Sequence, residues 1–416
     1  MAAAEPTREA WPALPYEEWR DTRNTLHMYT QVIGKLRLAL SPFEPEWANV
    51  PLYVTARGLA TSPMPVGLRT IDAELDLIDH ALVIRSSDGA VERRALGGAV
   101  ADFYQYIMRA LHDMHVDVTI SVVPTEVADP IPFPDDQTHR TYEPAQAARF
   151  FRVLSMADVI MKEHRARFRG RTTPVHFFWG TFDLALTRYS GRSAEPAPGA
   201  DVIQRVSQDA EEICAGWWPG DETLSFPSFY AYAHPTPDGM EKVSIAPSDA
   251  GWNSGAGEFL LPYDAARAAA DPRQAIRAFL ESTYAGAAAL LGWNSGLTEI
   301  HPPSTHASKI YSESGRARMA DTCRHLDQIR DVTPSGTGCV ECLAAGRHDW
   351  VHLRVCQECG HVGCCDYSPG KHATGHYKAV GDPIIRSFEP GEDWYYCYTD
   401  DVMFELEGAP PAPSHP

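Results

Sequence analysis

Eight of the chain's nine cysteines lie in its last quarter, between positions 321 and 406, at spacings that few folds can use. In order the stretch reads Cys323-Arg-His325, Cys339-Val-Glu-Cys342 and Cys356-Gln-Glu-Cys359. Then come Cys364-Cys365, His372-Ala-Thr-Gly-His376, Asp382 and Cys397-Tyr-Thr-Asp400. A Cys-x-x-Cys turn can serve redox chemistry, but redox chemistry does not call for the Cys-x-His and His-x3-His beside it. Zn²⁺ does, because it prefers thiolate and imidazole and such a turn brings two sulfurs to one ion at about 2.3 Å. Buried cysteines without a shared role would be scattered through the chain. The segment is short and holds many Gly and Pro, so it buries little core, and metal binding contributes much of its folding free energy.

The same residues carry a resemblance. Gly338-Cys339 to Cys342, Trp350-Val-His-Leu353, Cys356 to Cys364, His372 to His376 and Tyr396-Cys397-Tyr398 resemble, in that order, a UBP-type zinc finger over about 85 residues. Eukaryotic deubiquitinating enzymes and a histone deacetylase use that module to hold the free C-terminal tail of ubiquitin. The wording Gly-His-Val-Gly-Cys-Cys-Asp, followed by Ser-Phe-Glu-Pro-Gly-Glu-Asp-Trp, is similar to the bacterial branch. The resemblance implies one to three zinc ions. One site takes Cys339, Cys342, Cys364 and His372, a full set of typical ligands. A second takes Cys356, Cys359 and His376, with Asp382 where the family usually has histidine. A third takes Cys323, His325 and Cys397, with Asp400 where a cysteine usually stands. A carboxylate binds Zn²⁺ at about 2.0–2.2 Å, so both departures keep a metal ligand while softening affinity. Four protein ligands close the shell, which favours a structural metal; an aspartate that failed to coordinate would leave an open, catalytic position. Cys365 is either a spare thiol or an alternative ligand, and His361 is either a ligand or a neighbour of one.

In ubiquitin-binding fingers an aromatic pocket encloses the terminal Gly-Gly and an arginine takes its carboxylate. The aromatic parts correspond to Trp350, Tyr367, Tyr396 and Tyr398, and an acidic residue to Asp401, but the arginine position is Asp366. That replacement sets a negative charge against a carboxylate, so ubiquitin itself is disfavoured. The expectation is a protein or peptide partner that presents a cation, such as an amine, Lys or methylammonium, at about 0.5–2 kcal/mol per cation–π contact. The alternative is that these rings form the finger's small core.

Composition bounds the remaining possibilities. A net charge of −19 and a pI near 5.3 argue against nucleic acid and against an anionic membrane surface. No window approaches the roughly 18 apolar residues of a membrane span, and the first ten residues lack a signal pattern. Together with metal-type cysteines this reads as a cytoplasmic protein.

The first 300 residues predict a large antiparallel α+β domain, followed by a linker at 301–320, the small zinc-stabilised α+β finger at 321–408 and a tail at 409–416. Helices are expected over 15–40, 100–114, 142–168 and 271–291, and strands at 52–56, 71–77, 82–85, 91–94, 116–123, 175–179, 183–188 and 229–233. Asp72, Glu74 and Asp76 alternate with apolar residues and are expected to face water. Both halves read helix, strands, helix, an order that suggests an internal duplication. The pentapeptide Gly-Trp-Asn-Ser-Gly occurs at both 251–255 and 292–296, with unrelated flanks.

This region also resembles an uncharacterised bacterial family of roughly 300 residues, through Trp11-Pro-Ala-Leu-Pro, Leu52-Tyr-Val-Thr-Ala-Arg-Gly-Leu, residues 174–185 and Phe229-Tyr-Ala-Tyr. That family offers no activity to carry over. No nucleophile elbow, phosphate loop, dinucleotide fingerprint or His-Glu-x-x-His is present. The catalytic candidates are His176, Asp183 and His234, against the commoner role of such residues as satisfied core polar groups. Three readings stand. A binding or adaptor protein built on the finger is preferred; an enzyme of unassigned chemistry and a small-ligand-binding domain are the alternatives.

Overall fold

Helix α1 (Tyr16–Leu40) is the element around which the first 300 residues pack. The computed structural model describes residues 11–196, 199–298, 323–390 and 392–406. The expected linker at 301–320 and tail at 409–416 lie outside the described residues, as do positions 321–322 and 407–408 at the finger's ends. The chain divides into two compact units, Ala2–Ile300 and His301–Pro416. Among the described residues no helix is long and apolar enough to cross a membrane.

In the first unit, α1 buries Leu26, Tyr29, Val32, Ile33 and Leu36, and its other faces bury polar groups such as His27, Gln31 and Arg37. Every residue from Thr25 to Arg37 is buried, so the polar side chains there need internal partners: Gln31 Nε2 donates to Thr125 O at 2.7 Å and Arg37 Nε to Asn49 O at 2.9 Å. Gly34 admits Trp179, because a Cβ there would stand 2.2 Å from the indole ring. Trp179 Nε1 then reaches Val50 O at 2.8 Å.

Six antiparallel strands follow α1: β1 (Tyr53–Val54), β2 (Gly58–Ala60), β3 (Met64–Val66), β4 (Arg69–Asp76), β5 (Ala81–Ser86) and β6 (Val91–Ala95). Their order is β1-β2-β4-β5-β6, with β3 also paired to β4, and Asp88-Gly89 makes the expected turn between β5 and β6. Helix α2 (Val100–Asp113) closes this half. The second half begins with α3 (Pro144–Ala166). It continues through β7 (His176–Phe178), β8 (Asp183–Ser193), α4 (Val202–Ser207), β9 (Ala210–Trp218), β10 (Ser228–His234), β11 (Gly251–Asn253) and β12 (Glu258–Pro262), then α5 (Tyr263–Ala268) and α6 (Pro272–Leu290). Its sheet runs β11-β12-β10-β9-β8-β7. Paired backbone bonds between Leu52 and Phe177, both 2.9 Å, tie the two sheets together. Phe150 stacks on Trp19 at 5.1 Å and on Phe182 at 5.4 Å, and tilts against Trp217 at 6.0 Å; such pairs add about 0.5–1.5 kcal/mol beyond area burial.

The fold class is the α+β expected, with mixed helices and antiparallel sheets, and the helix–sheet–helix order recurs while the strand connections differ between halves. Three expectations need correction. Residues 116–123 join no sheet; their alternation buries Val116 and Ile120 on an extended segment with no neighbouring strand. Glu74 and Asp76 do not face water. They are buried, with Arg85 Nη2 on Glu74 at 2.5 Å and Arg57 Nε on Asp76 at 2.6 Å, because alternation on a strand marks two faces without saying which is covered. Residues 210–218, where no strand is expected, form the nine-residue strand β9, which ends at Trp217-Trp218. The two pentapeptide copies differ in structure: Gly251 opens β11, whereas Gly292 follows α6 in a left-handed turn.

The finger holds α7 (Val340–Ala344), β13 (Leu353–Cys356), β14 (Val362–Cys364), α8 (His372–Val380), β15 (Ile384–Ser387), β16 (Tyr395–Cys397) and β17 (Val402–Phe404). Its sheet order is β14-β13-β15-β16-β17, with α8 packed on β13 and β14. Two small buried clusters, one around Leu353, Val355, Val362 and Phe388 and the other around Ile384 and Tyr395, serve as core.

Candidate metal centre

The cysteine turns and α8 of the finger gather twelve side chains into three quartets. In each, one donor atom per residue lies within 4.8 Å of the others: Cys339, Cys342, Cys364 and His372; Cys356, Cys359, His376 and Asp382; Cys323, His325, Cys397 and Asp400. In the first, His372 Nδ1 lies 3.1 Å from Cys339 Sγ and 3.3 Å from both Cys342 Sγ and Cys364 Sγ, while the last two sulfurs are 4.0 Å apart. A tetrahedron with Zn–S of about 2.3 Å and Zn–N of about 2.0–2.1 Å has edges of about 3.5–3.8 Å, so the donors fit that ion. In the second, Cys359 Sγ is 3.2 Å from His376 Nε2, and Asp382 Oδ2 stands 3.3 Å from Cys356 Sγ and 3.8 Å from His376. In the third, Asp400 Oδ2 is 2.8 Å from His325 Nδ1 and also accepts from the Arg324 backbone N–H at 2.8 Å; that N–H comes first among the groups that hold its carboxyl down to about 2. Burial pushes the Cys339 and Cys356 thiols up to about 12, so a cation is what would keep them as thiolates.

Chain order explains how so short a segment builds the first two quartets. Cys339 and Cys342 flank the start of α7. Cys356 ends β13, and Cys364 ends its hairpin partner β14. Gly363 lets α8 lie against that hairpin, since a Cβ there would stand 2.6 Å from Ala373 N. Cys365 stays outside the quartets with its Sγ 3.5 Å from Ser368 Oγ. His361 also stays outside, donating from Nε2 to Glu341 at 2.8 Å. Glu341 was not foreseen; its place inside the Cys339–Cys342 turn was the available signal.

The recognition residues divide. Tyr396 and Tyr398 meet edge to face at 5.1 Å, and the Tyr396 hydroxyl donates to Asp401. Thr374 Oγ1, also unforeseen, donates to Asp366 at 2.7 Å and lies 3.2 Å from the Tyr398 hydroxyl. Trp350 packs against the core of the first quartet, over Gly338, and Tyr367 is 88% exposed.

In the first unit the catalytic candidates do not assemble. His176 on β7 pairs with Ala185, whereas Asp183 pairs with Phe178. His176 is buried between Tyr53 and Phe178, and that burial, with Arg37 and Arg165 nearby, brings it down to about 4. Asp183 is raised by burial and accepts from Thr181 and the Tyr230 hydroxyl. His234 ends β10 opposite Glu212, whose carboxyl burial lifts to about 8. A cavity of about 650 Å³ is lined by His176, Tyr189, Arg171, Glu46, Thr173 and Asp209, among others.

Comparison with known proteins adds two families. Residues 339–407 match the zinc finger found in ubiquitin hydrolases and other proteins, and residues 11–300 match a family of unknown function, DUF5996. No curated protein matches the chain. A solution NMR structure of protein RPA1320 from Rhodopseudomonas palustris is similar, at 53% identity over 23% of this chain and 98% of its own, with a TM-score of 0.20. The family match over residues 11–300, 290 of the 416, makes this chain a member of the DUF5996 family, followed by a UBP-type zinc finger.

Proposed function

We propose that the finger is folded by three structural zinc ions and docks a peptide or protein partner through a cationic group, so that the chain works as a binding or adaptor protein. Zinc bound by four protein ligands supplies folding free energy and polarises nothing outside its shell. The residues do the rest: the turns and α8 set the sheet, and β16 with the residue after it presents Tyr396 and Tyr398 between Asp366 and Asp401.

The observation that carries this reading is the bracketing of two perpendicular rings by two exposed carboxylates. Aromatic faces and carboxylates both favour a cation, and both oppose a peptide's terminal carboxylate. The finger as a whole, residues 321–408, carries fifteen acidic against seven basic side chains. Calorimetric titration of the whole protein with one peptide in two forms tests the reading, a free amine with an amidated end against an acetylated amine with a free carboxylate. Preference for the amine form supports it; preference for the carboxylate form overturns it.

The cavity beside His176 favours a second reading, in which the first unit holds a small polar ligand. Native mass spectrometry of the protein as isolated tests this, the expected result being an added mass that denaturation removes.

A further inference from the structure

We propose that Glu341 and His361 form a strut that makes the Cys339 and Cys356 quartets take up and lose their metal as one unit. The proposal rests on the zinc reading above. Glu341 lies inside the Cys339–Cys342 turn, and His361 lies between Cys359 of one quartet and Cys364 of the other. A carboxylate only accepts, so His361 Nε2 carries the proton and donates to Glu341 Oε1 across 2.8 Å. The other carboxylate oxygen stands 3.6 Å from Cys339 Sγ and 4.0 Å from His372 Nδ1, both donors of the first quartet.

On its other side, the His361 ring lies flat on that of His376, a donor of the second quartet, with centroids 4.1 Å apart and planes 8° from parallel. One carboxylate and one imidazole therefore span from the donors of one site to a donor of the next. Neither is itself in a quartet. They act through the ligands they orient, as positioning residues.

The strut has a consequence because the two sites are unequal. The first has three thiolates, whereas the second replaces one soft donor by Asp382 and is the weaker for Zn²⁺. Fixing the His376 ring to the first quartet lowers the freedom that the second site must give up on binding. The weaker site then borrows persistence from the stronger one, and both empty together. Partners of a metal ligand outside the coordination shell typically change metal affinity by about 10–100-fold when removed.

The test uses the full chain loaded with Co²⁺, in which the three-thiolate quartet has the stronger sulfur-to-metal absorption. A chelator is added in excess, and release is followed by absorption and by total metal per chain. In the unaltered protein the metals of the first two quartets are expected to leave in one phase. His361→Ala is expected to split that phase, the metal of the Cys356 quartet leaving about 10–100-fold sooner. Glu341→Ala, which removes the acceptor, is expected to do the same with the sheet intact by circular dichroism. His361→Phe keeps the stack without the hydrogen bond and falls between. Separate phases for the first two quartets in the unaltered protein, with the third quartet's metal identified by its loss in Cys323→Ser, or identical release from the unaltered protein and Glu341→Ala, overturn the strut. A chain isolated without metal that also takes up none overturns the zinc reading itself, and the strut with it.

Discussion

His372 and His376 stand four residues apart on α8, and they belong to different quartets. One helix turn therefore closes two sites. The chain alternates between them, with Cys339 and Cys342 first, then Cys356 and Cys359, then Cys364 and His372, then His376 and Asp382. Interleaving of this kind prevents either site from forming on a local segment alone, and it makes the finger's sheet depend on both.

That dependence predicts the effect of chelation. Among the described residues the largest cluster in the finger has seven buried core residues, whereas the first unit has an extended core from Trp11 to Trp293. Excess chelator is expected to unfold residues 323–406 while leaving the thermal transition of the first unit in place. Calorimetry with and without chelator checks this. One transition lost and one retained is the expected result, and simultaneous loss of both would contradict the independent core of the first unit.

Gly363→Ala makes a sharper demand on the same geometry. A methyl at that position would stand 2.6 Å from Ala373 N and 2.9 Å from its Cα, both backbone atoms of α8 that cannot swing aside. The helix must lift from β14, taking His372 and His376 with it. The expected outcome is loss of zinc from both quartets, read as metal per chain after dialysis, with the first unit's transition unchanged. Full retention of metal would show that α8 can shift while keeping its ligands in range.

The finger was legible in the sequence because metal ligands must recur at spacings that the turn geometry sets. Cys339 and Cys342 lie at the spacing of a shared ion, and the structure groups the same twelve side chains that the resemblance to the finger family implies. The large unit was legible only as helices and strands. Its long helices show a three-to-four-residue repeat, and Asp88-Gly89 marks a hairpin, but what lies over each sheet face is set by segments distant in the chain. Glu74 and Asp76 read as solvated because nothing local shows Arg85 and Arg57 arriving over them. Residues 116–123 read as a strand because burial of alternate side chains needs no strand partner.

Buried ionisable groups in the first unit set a pH dependence with two limbs. Burial, then Asp209, raises Glu212 from 4.5 to about 8, so its contribution is full below pH 4.5 and is lost as pH rises through 8. His27 is lowered from 6.5 to about 3 by burial and Arg23, and His176 to about 4, so theirs is full above pH 6.5 and is lost as pH falls toward those values. Stability is expected to peak near pH 6. At about 1.4 kcal/mol per unit of pKa difference, Glu212→Gln is expected to stabilise the unit at pH 9 by a few kcal/mol and to change it little at pH 4. Urea unfolding at the two pH values checks this, and an equal effect at both would locate the change in packing instead of charge.

Asp366→Arg tests the choice between cation and anion at the finger's aromatic pair. Asp366 is held by Thr374 beside Tyr398, and the Asp401 carboxylate closes the far side at Tyr396. An arginine there removes one of the two negative charges and adds a planar donor able to take a carboxylate by two parallel hydrogen bonds. Hydrogen bonds to charged groups contribute about 1.5–3 kcal/mol, so affinity for the carboxylate-ended peptide should rise roughly 10–100-fold while that for the amine-ended peptide falls. Asp366→Ala separates the two effects, since it removes the negative charge without adding a donor for the carboxylate. It should weaken the amine-ended peptide and leave the other unbound. Unchanged affinities for both peptides in Asp366→Arg would mean that partners dock elsewhere on the finger.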